Sequence, residues 1–295
     1  MPASDSLSSI QVPLAWEDLT FSAMKGVVLV LGATDTGKTT FARFLYHRLM
    51  AHHERLAFVD GDVGQAMLGP PTTMTLALSG PGDRRFPPAG PRFGVFVGDI
   101  SPAGHMVPTV VGAHRLVRKA RDQGATAIIF DTSGLVAESQ GGGALKRALI
   151  DLLRAEVVIG LQRGSELEHL LVPLRRSRRT RVIDRPLAEA VKRRDVQTRR
   201  EHRASQYRRT FEGASSLQVE WSRFAVIPSR SFTEHRLIAL EDEAGFVRGL
   251  GIVTGADRTH CTVQLHTTLS SLEQIDMLHV GDLAVDPRTF QDRRV

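Results

Sequence analysis

Gly26-Val27-Val28-Leu29-Val30-Leu31-Gly32-Ala33-Thr34-Asp35-Thr36-Gly37-Lys38-Thr39-Thr40 decides how the rest of the chain is read. Val27 to Leu31 is continuously apolar and mostly β-branched, the pattern of a strand buried on both faces of a parallel sheet. Gly32 to Thr39 fits G-x-x-x-x-G-K-T, the spacing of a loop whose backbone N–H groups surround a phosphate. Phe41, Phe44, Leu45 and Leu49 then repeat at helical spacing. Strand, glycine-bracketed loop and helix in that order predict a triphosphate site. Gly32, Ala33, Thr34, Asp35, Thr36, Gly37, Lys38 and Thr39 form its cradle. Lys38 supplies a point charge to the β- and γ-phosphates, and the Thr39 hydroxyl is placed to bind Mg²⁺. Thr40 either bonds the α-phosphate or faces the core.

Outward from this loop the chain alternates strands and helices. Leu56 to Val59 reads as a strand ending in Asp60-Gly61-Asp62-Val63-Gly64-Gln65. Thr72 to Ser79, Phe93 to Val97, Ala125 to Phe130 and Glu156 to Leu161 read as further strands. Helices are expected over 109–124 and 144–153, with another beginning at Glu166. The alternation from 26 to 172 predicts a mostly parallel sheet covered on both faces, a three-layer α/β/α fold. Asp60, Asp62 and Asp131 stand at strand ends, where such sheets bind ligands. One could organise Mg²⁺ and another take a proton from an attacking hydroxyl. His105, in a loop after a strand, is a weaker candidate.

The formal net charge of the 295 residues is +6. Much of the excess falls between 174 and 211, where arginines recur in a partly helical pattern. The plain reading is a solvated basic helix; the functional reading is a lid that brings guanidinium groups over phosphates. Residues 1–25 read as a lead-in that packs Trp16 against the first layer, and 26–228 as the nucleotide domain. Residues 229–295 carry short strand patterns and turns, expected to form a small antiparallel β domain. Cys261 is the only cysteine, which excludes an intrachain disulfide and a multi-cysteine metal site. Its alternation with Val263 predicts a buried thiol. No stretch approaches a membrane span, and the expectation is a cytoplasmic protein without membrane contact.

Several segments together resemble one family, the polynucleotide 5′-hydroxyl kinases related to the pre-mRNA cleavage and polyadenylation factor kinase and the pre-rRNA processing kinases. The loop with Asp35 before Thr36-Gly37-Lys38 is similar to that family's. Asp60-Gly61-Asp62-Val63-Gly64-Gln65 resembles its acidic-x-D-x-G-Q segment. Phe96 to Pro102 resembles F-G-x-x-S-P. Asp131-Thr132-Ser133-Gly134-Leu135-Val136 resembles N/D-T-x-G-W/F-V, with Leu135 where an aromatic often stands.

The resemblance implies a P-loop NTPase fold, ATP or GTP with Mg²⁺, and transfer of the γ-phosphoryl to the 5′-hydroxyl of RNA or DNA. It makes Lys38 and Asp62 catalytic, and Thr39 and Asp62 metal-binding. Gln65, Asp131 and Thr132 would line the acceptor side, and Arg199 and Arg203 would be the phosphate-facing arginines of the lid. Phe96 or Tyr207 could stack an end base. The alternatives are an NTP-driven switch or assembly factor with Gln65 positioning water, and a nucleic-acid-binding subunit with structural ATP.

Overall fold

The computed structural model describes residues 12–80, 82, 83, 85–191 and 193–295. The chain divides into two compact units. The first contains Met1–Asp62, Thr75–Arg92 and Thr109–Arg194; the second contains Val63–Met74, Phe93–Pro108 and Asp195–Val295.

The first sheet, most of whose residues belong to the first unit, has the strands β1 (Gly26–Gly32), β2 (Leu56–Gly61), β3 (Thr73–Leu78), β4 (Arg92–Phe96), β5 (Ala127–Thr132), β6 (Ala155–Leu161) and β7 (Arg181–Arg185). Their order is β4-β3-β2-β5-β1-β6-β7. β2, β5, β1, β6 and β7 pair in parallel, and β3 runs antiparallel to β2. Val27 to Leu31 are fully buried, as the unbroken apolar run requires of a strand covered on both faces. The accompanying helices are α1 (Leu14–Glu17), α2 (Lys38–Leu49), α3 (Met106–Asp122), α4 (Gly142–Leu153) and α5 (Glu168–Arg176).

Burial of Phe41, Phe44, Leu45 and Leu49 turns the expected stripe of α2 inward. Trp16 has no exposed surface, meets Phe41 edge to face at 4.9 Å, and donates from Nε1 to the Pro186 carbonyl at 2.8 Å. Trp16 is thus part of the core, residues 1–11 of the lead-in lying outside the described residues, and its indole has the partner that a buried N–H needs.

The second unit holds α6 (Val196–Thr210) and a sheet of β8 (Ser215–Glu220), β9 (Ala225–Ile227), β10 (Arg236–Glu241), β11 (Val247–Asp257), β12 (Thr262–Thr267), β13 (Met277–Val285) and β14 (Asp292–Arg294). The order is β14-β13-β10-β11-β12-β8, with β9 parallel to β13. This sheet starts earlier than the expected boundary at 229. Val219 of β8 and Trp221 just after it are buried with Ile238, Val253 and Leu278, so this segment carries core residues of the same cluster. Cys261 corrects the expectation of a buried thiol. It is half-buried in a turn at φ +53°, just before β12, and is outside the alternation of the strand. Among the described residues no helix is long and apolar enough to cross a membrane.

Trp16→Ala removes a fully enclosed indole and its hydrogen bond. The expected loss is about 3–5 kcal/mol, read from urea unfolding; a loss below ~1 kcal/mol would mean the lead-in is not part of the first unit's core.

Candidate active site

The phosphate loop follows the carboxyl end of β1. Gly37 closes it in the left-handed region, φ +79°, as the residue before α2. A side chain there would be strained and would also meet Val191. The Thr36 hydroxyl donates to the Ala33 carbonyl at 2.9 Å, and Lys38 Nζ donates to the same carbonyl at 2.8 Å. Arg163, in the loop after β6, donates to the Asp35 carbonyl and, at 3.4 Å, to that of Thr34. The Asp35 carboxylate accepts from the Arg194 backbone N–H at 3.2 Å. The loop is therefore held by its own side chains and by two later segments of the same unit.

Beneath the loop lie buried charges. Register places Asp131 of β5 beside Val30 of β1 and beside Asp60 of β2. Thr39 Oγ1 donates to Asp131 Oδ2 at 2.6 Å, while Asp131 Oδ1 is buried without a hydrogen-bond partner. Burial pushes the Asp131 carboxyl up to about 7, with Lys38 and the Thr39 hydroxyl pulling it back. Burial likewise lowers the Lys38 ammonium, against the attraction of Asp131, Asp62 and Asp35. Asp62 follows β2 and is half-buried, its N–H 3.3 Å from Asp60 Oδ1.

Lys146 belongs to this group and escaped the sequence reading. It has no exposed surface and donates to the Ser133 carbonyl at 2.6 Å and hydroxyl at 3.2 Å. Burial, then repulsion from Lys38, lowers it to about 7, with Asp62 and Asp131 opposing. Through Ser133 it holds the turn at Gly134. A Cβ on Gly134 would stand 2.6 Å from Thr34 Oγ1 and 2.9 Å from its backbone N, so this turn packs directly on the phosphate loop. The available signal was helical spacing: Lys146 shares a face with Leu149, Ile150 and Leu153, all buried.

Several expected site residues are placed differently. Thr132 is buried and its hydroxyl donates to the Val30 carbonyl at 2.8 Å, so it faces the sheet and not a substrate. Of the stretch 174–211, residues 174–185 close α5 and form β7, leaving the remainder for a lid. In the second unit Arg203 is buried and its guanidinium forks onto Asp292, with Nη2 to Oδ1 at 2.9 Å. This is a structural pair rather than a phosphate contact. Arg199, one turn earlier, is half-buried, and its carbonyl lies 3.4 Å from the Gln65 amide nitrogen, which also donates to Gly64 at 2.7 Å. Gln65 and Arg199 are thus neighbours. His105 bonds Asp282 at 3.0 Å. Phe96 and Tyr207 are both buried and have no face to offer a base.

A family model described as "mRNA cleavage and polyadenylation factor CLP1 P-loop" matches residues 32–213, more than half the chain. The chain belongs to that family, the polyribonucleotide 5′-hydroxyl kinase family of P-loop NTPases. It is 30% identical over 223 residues to the polyribonucleotide 5′-hydroxyl-kinase MJ1315 of Methanocaldococcus jannaschii, covering 76% of this chain and 60% of that protein. To TK1956 of Thermococcus kodakarensis, of the same description, it is 31% identical over 217 residues, covering 73% and 60%. The chain therefore spans about three-fifths of the length of these curated relatives. Among solved structures, Clp1p in the wild-type Clp1p–Pcf11p (454–563) complex shares the fold at a TM-score of 0.65 and 13% identity, over 88% of this chain and 74% of that one.

Two outcomes test this arrangement. Asp292→Ala leaves the Arg203 charge buried without its partner, and the expected loss is roughly 3–5 kcal/mol of unfolding free energy; an unchanged urea midpoint would return Arg203 to the lid. An unfolded lysine titrates near 10.5 and Lys146 near 7 in the fold. Between these values the unfolded chain binds the extra proton, so stability rises with pH. The wild-type urea midpoint should therefore gain on that of Lys146→Met as pH goes from 7 to 9, and a constant difference would refute the buried titration.

Proposed function

We propose that this chain transfers the γ-phosphoryl group of ATP or GTP to the 5′-hydroxyl of a polynucleotide. The observation that carries the reading is the Thr39–Asp131 hydrogen bond of 2.6 Å, which brings a strand-end carboxylate against the phosphate loop. Curated relatives described as polyribonucleotide 5′-hydroxyl kinases support RNA as the acceptor.

The backbone N–H groups of 33–38 and the amino end of α2 hold the phosphate chain. Lys38 leaves the Ala33 carbonyl and places its ammonium on the β- and γ-phosphate oxygens. Arg163 keeps the outer carbonyls of the loop turned away from the anion, so its N–H groups face inward. Asp62 accepts the proton of the 5′-hydroxyl, which makes the oxygen nucleophilic as the γ-phosphoryl leaves.

Among the described residues no three His, Cys, Asp or Glu side chains cluster as a metal cage. A nucleotide-bound Mg²⁺ needs only one or two protein ligands beside phosphate and water. Thr39 and the unpartnered oxygen of Asp131 fit that requirement, and would hold it. When bound, Mg²⁺ neutralises charge on the β- and γ-phosphate oxygens. With Asp131 on the Thr39 side, Asp62 is left for the acceptor proton.

End-labelling with γ-labelled ATP or GTP and 5′-hydroxyl RNA or DNA oligonucleotides tests the proposal. Transfer should fall below detection in Lys38→Ala, and by about 10²–10⁴-fold in Asp62→Asn. Release of inorganic phosphate without label transfer would refute the kinase and favour a nucleotide-driven switch.

A further inference from the structure

The arginines between 175 and 181 stand at the wrong end of the sheet for phosphoryl transfer. Gly32 pairs with Leu161, and Leu161 with Arg185, at the carboxyl ends where the phosphate loop begins. Arg181 pairs with Val157, four residues back, or about 13 Å at the usual rise of a strand. Arg175 is committed to Glu168 and Asp184. Arg176, Arg178, Arg179 and Arg181 are exposed and make no ion pair with another described residue. Arg147, in the middle of α4, and Arg154, just after its end, are in the same condition.

Arg147, Arg154 and Arg179 line a cavity of about 570 Å³ between α4 and α5. Its apolar wall includes Ile150, Leu170 and Leu174. Two acids also line it: Asp151, and Glu156, whose carboxylate is taken by the Val27 N–H. Six unpaired guanidinium groups on one region repel one another, and a polyanion relieves that repulsion. The planar fork of arginine matches phosphate oxygens two at a time. The cavity has room for one flat ring and an apolar wall to lie against, whereas a duplex keeps its bases stacked inside.

We infer that this surface binds the sugar–phosphate backbone of a single-stranded polynucleotide, with one base seated between α4 and α5. It holds the body of a strand and not its reacting end, and it does not depend on phosphoryl transfer.

Fluorescence anisotropy with a labelled, 5′-phosphorylated 20-nucleotide oligouridine tests this, between 50 and 200 mM salt. The proteins are the wild type, R176A/R178A/R179A/R181A, and R147A/R154A. All the substituted side chains are exposed, and equal urea midpoints verify the folds. Dissociation constants should rise about tenfold in the fourfold variant and several-fold in the double one. The salt slope should become shallower by about 0.7 per lost contact. Equal affinity and slope in all three proteins overturns the inference. Displacement of the strand by polyglutamate as readily as by unlabelled oligouridine also overturns it, and assigns the surface to an acidic protein. A four-nucleotide 5′-hydroxyl acceptor reports separately on the kinase. If the wild type transfers nothing to it while the affinities still differ, the kinase falls and this surface stands.

Discussion

Lys38, Asp131 and Lys146 are buried together at one end of a parallel sheet, and the local structure depends on their compensating one another. Each alone would be costly in a dry interior. Burial drives Asp131 up and both lysines down, yet each opposite charge pulls its neighbour back toward the ionised form. Hydrogen bonds complete the arrangement: Thr39 serves Asp131, the Ala33 carbonyl receives Lys38, and Ser133 receives Lys146. Such a network is favourable only when its members are satisfied. The unpartnered oxygen of Asp131 is the exception.

The same network connects two loops. Lys146 holds Ser133, and the next residue, Gly134, rests on Thr34 with no space for a side chain. The turn after β5 and the phosphate loop after β1 are therefore packed as one piece. A buried lysine on α4 thus fixes the turn that packs on the phosphate loop. Arg163 and Arg194 brace the outer side of the same loop through main-chain carbonyl and carboxylate contacts at Asp35.

The arginines discussed as a basic stretch differ in burial and partner. Arg203 is enclosed and paired with Asp292, so its charge is spent on the fold of the second unit. Arg175 bridges two acids at the surface, an arrangement of small energetic consequence in water. Arg176, Arg178, Arg179 and Arg181 make no ion pair with another described residue. Composition treats all of them as one basic stretch, whereas burial and partners separate them.

Much was legible in the chain itself. Continuous apolar residues, glycine spacing and the helical stripe after Thr40 specify strand, phosphate loop and helix, because local geometry and burial act on those residues directly. Asp60, Asp62 and Asp131 were legible as strand-end carboxylates for the same reason. Tertiary structure alone decided their partners. Asp131 meets Thr39 because β5 lies beside β1, an adjacency between residues 92 apart in sequence. Thr132 turns inward because its hydroxyl finds the Val30 carbonyl on that neighbouring strand. Lys146 becomes a site residue because its apolar helix face is laid against the turn at Ser133. Arg203 becomes structural because Asp292, 89 residues later, is folded onto it. Periodicity states which face of an element is buried; only the packing of distant elements states against what, and that settles which charges are consumed by the fold and which remain for a ligand.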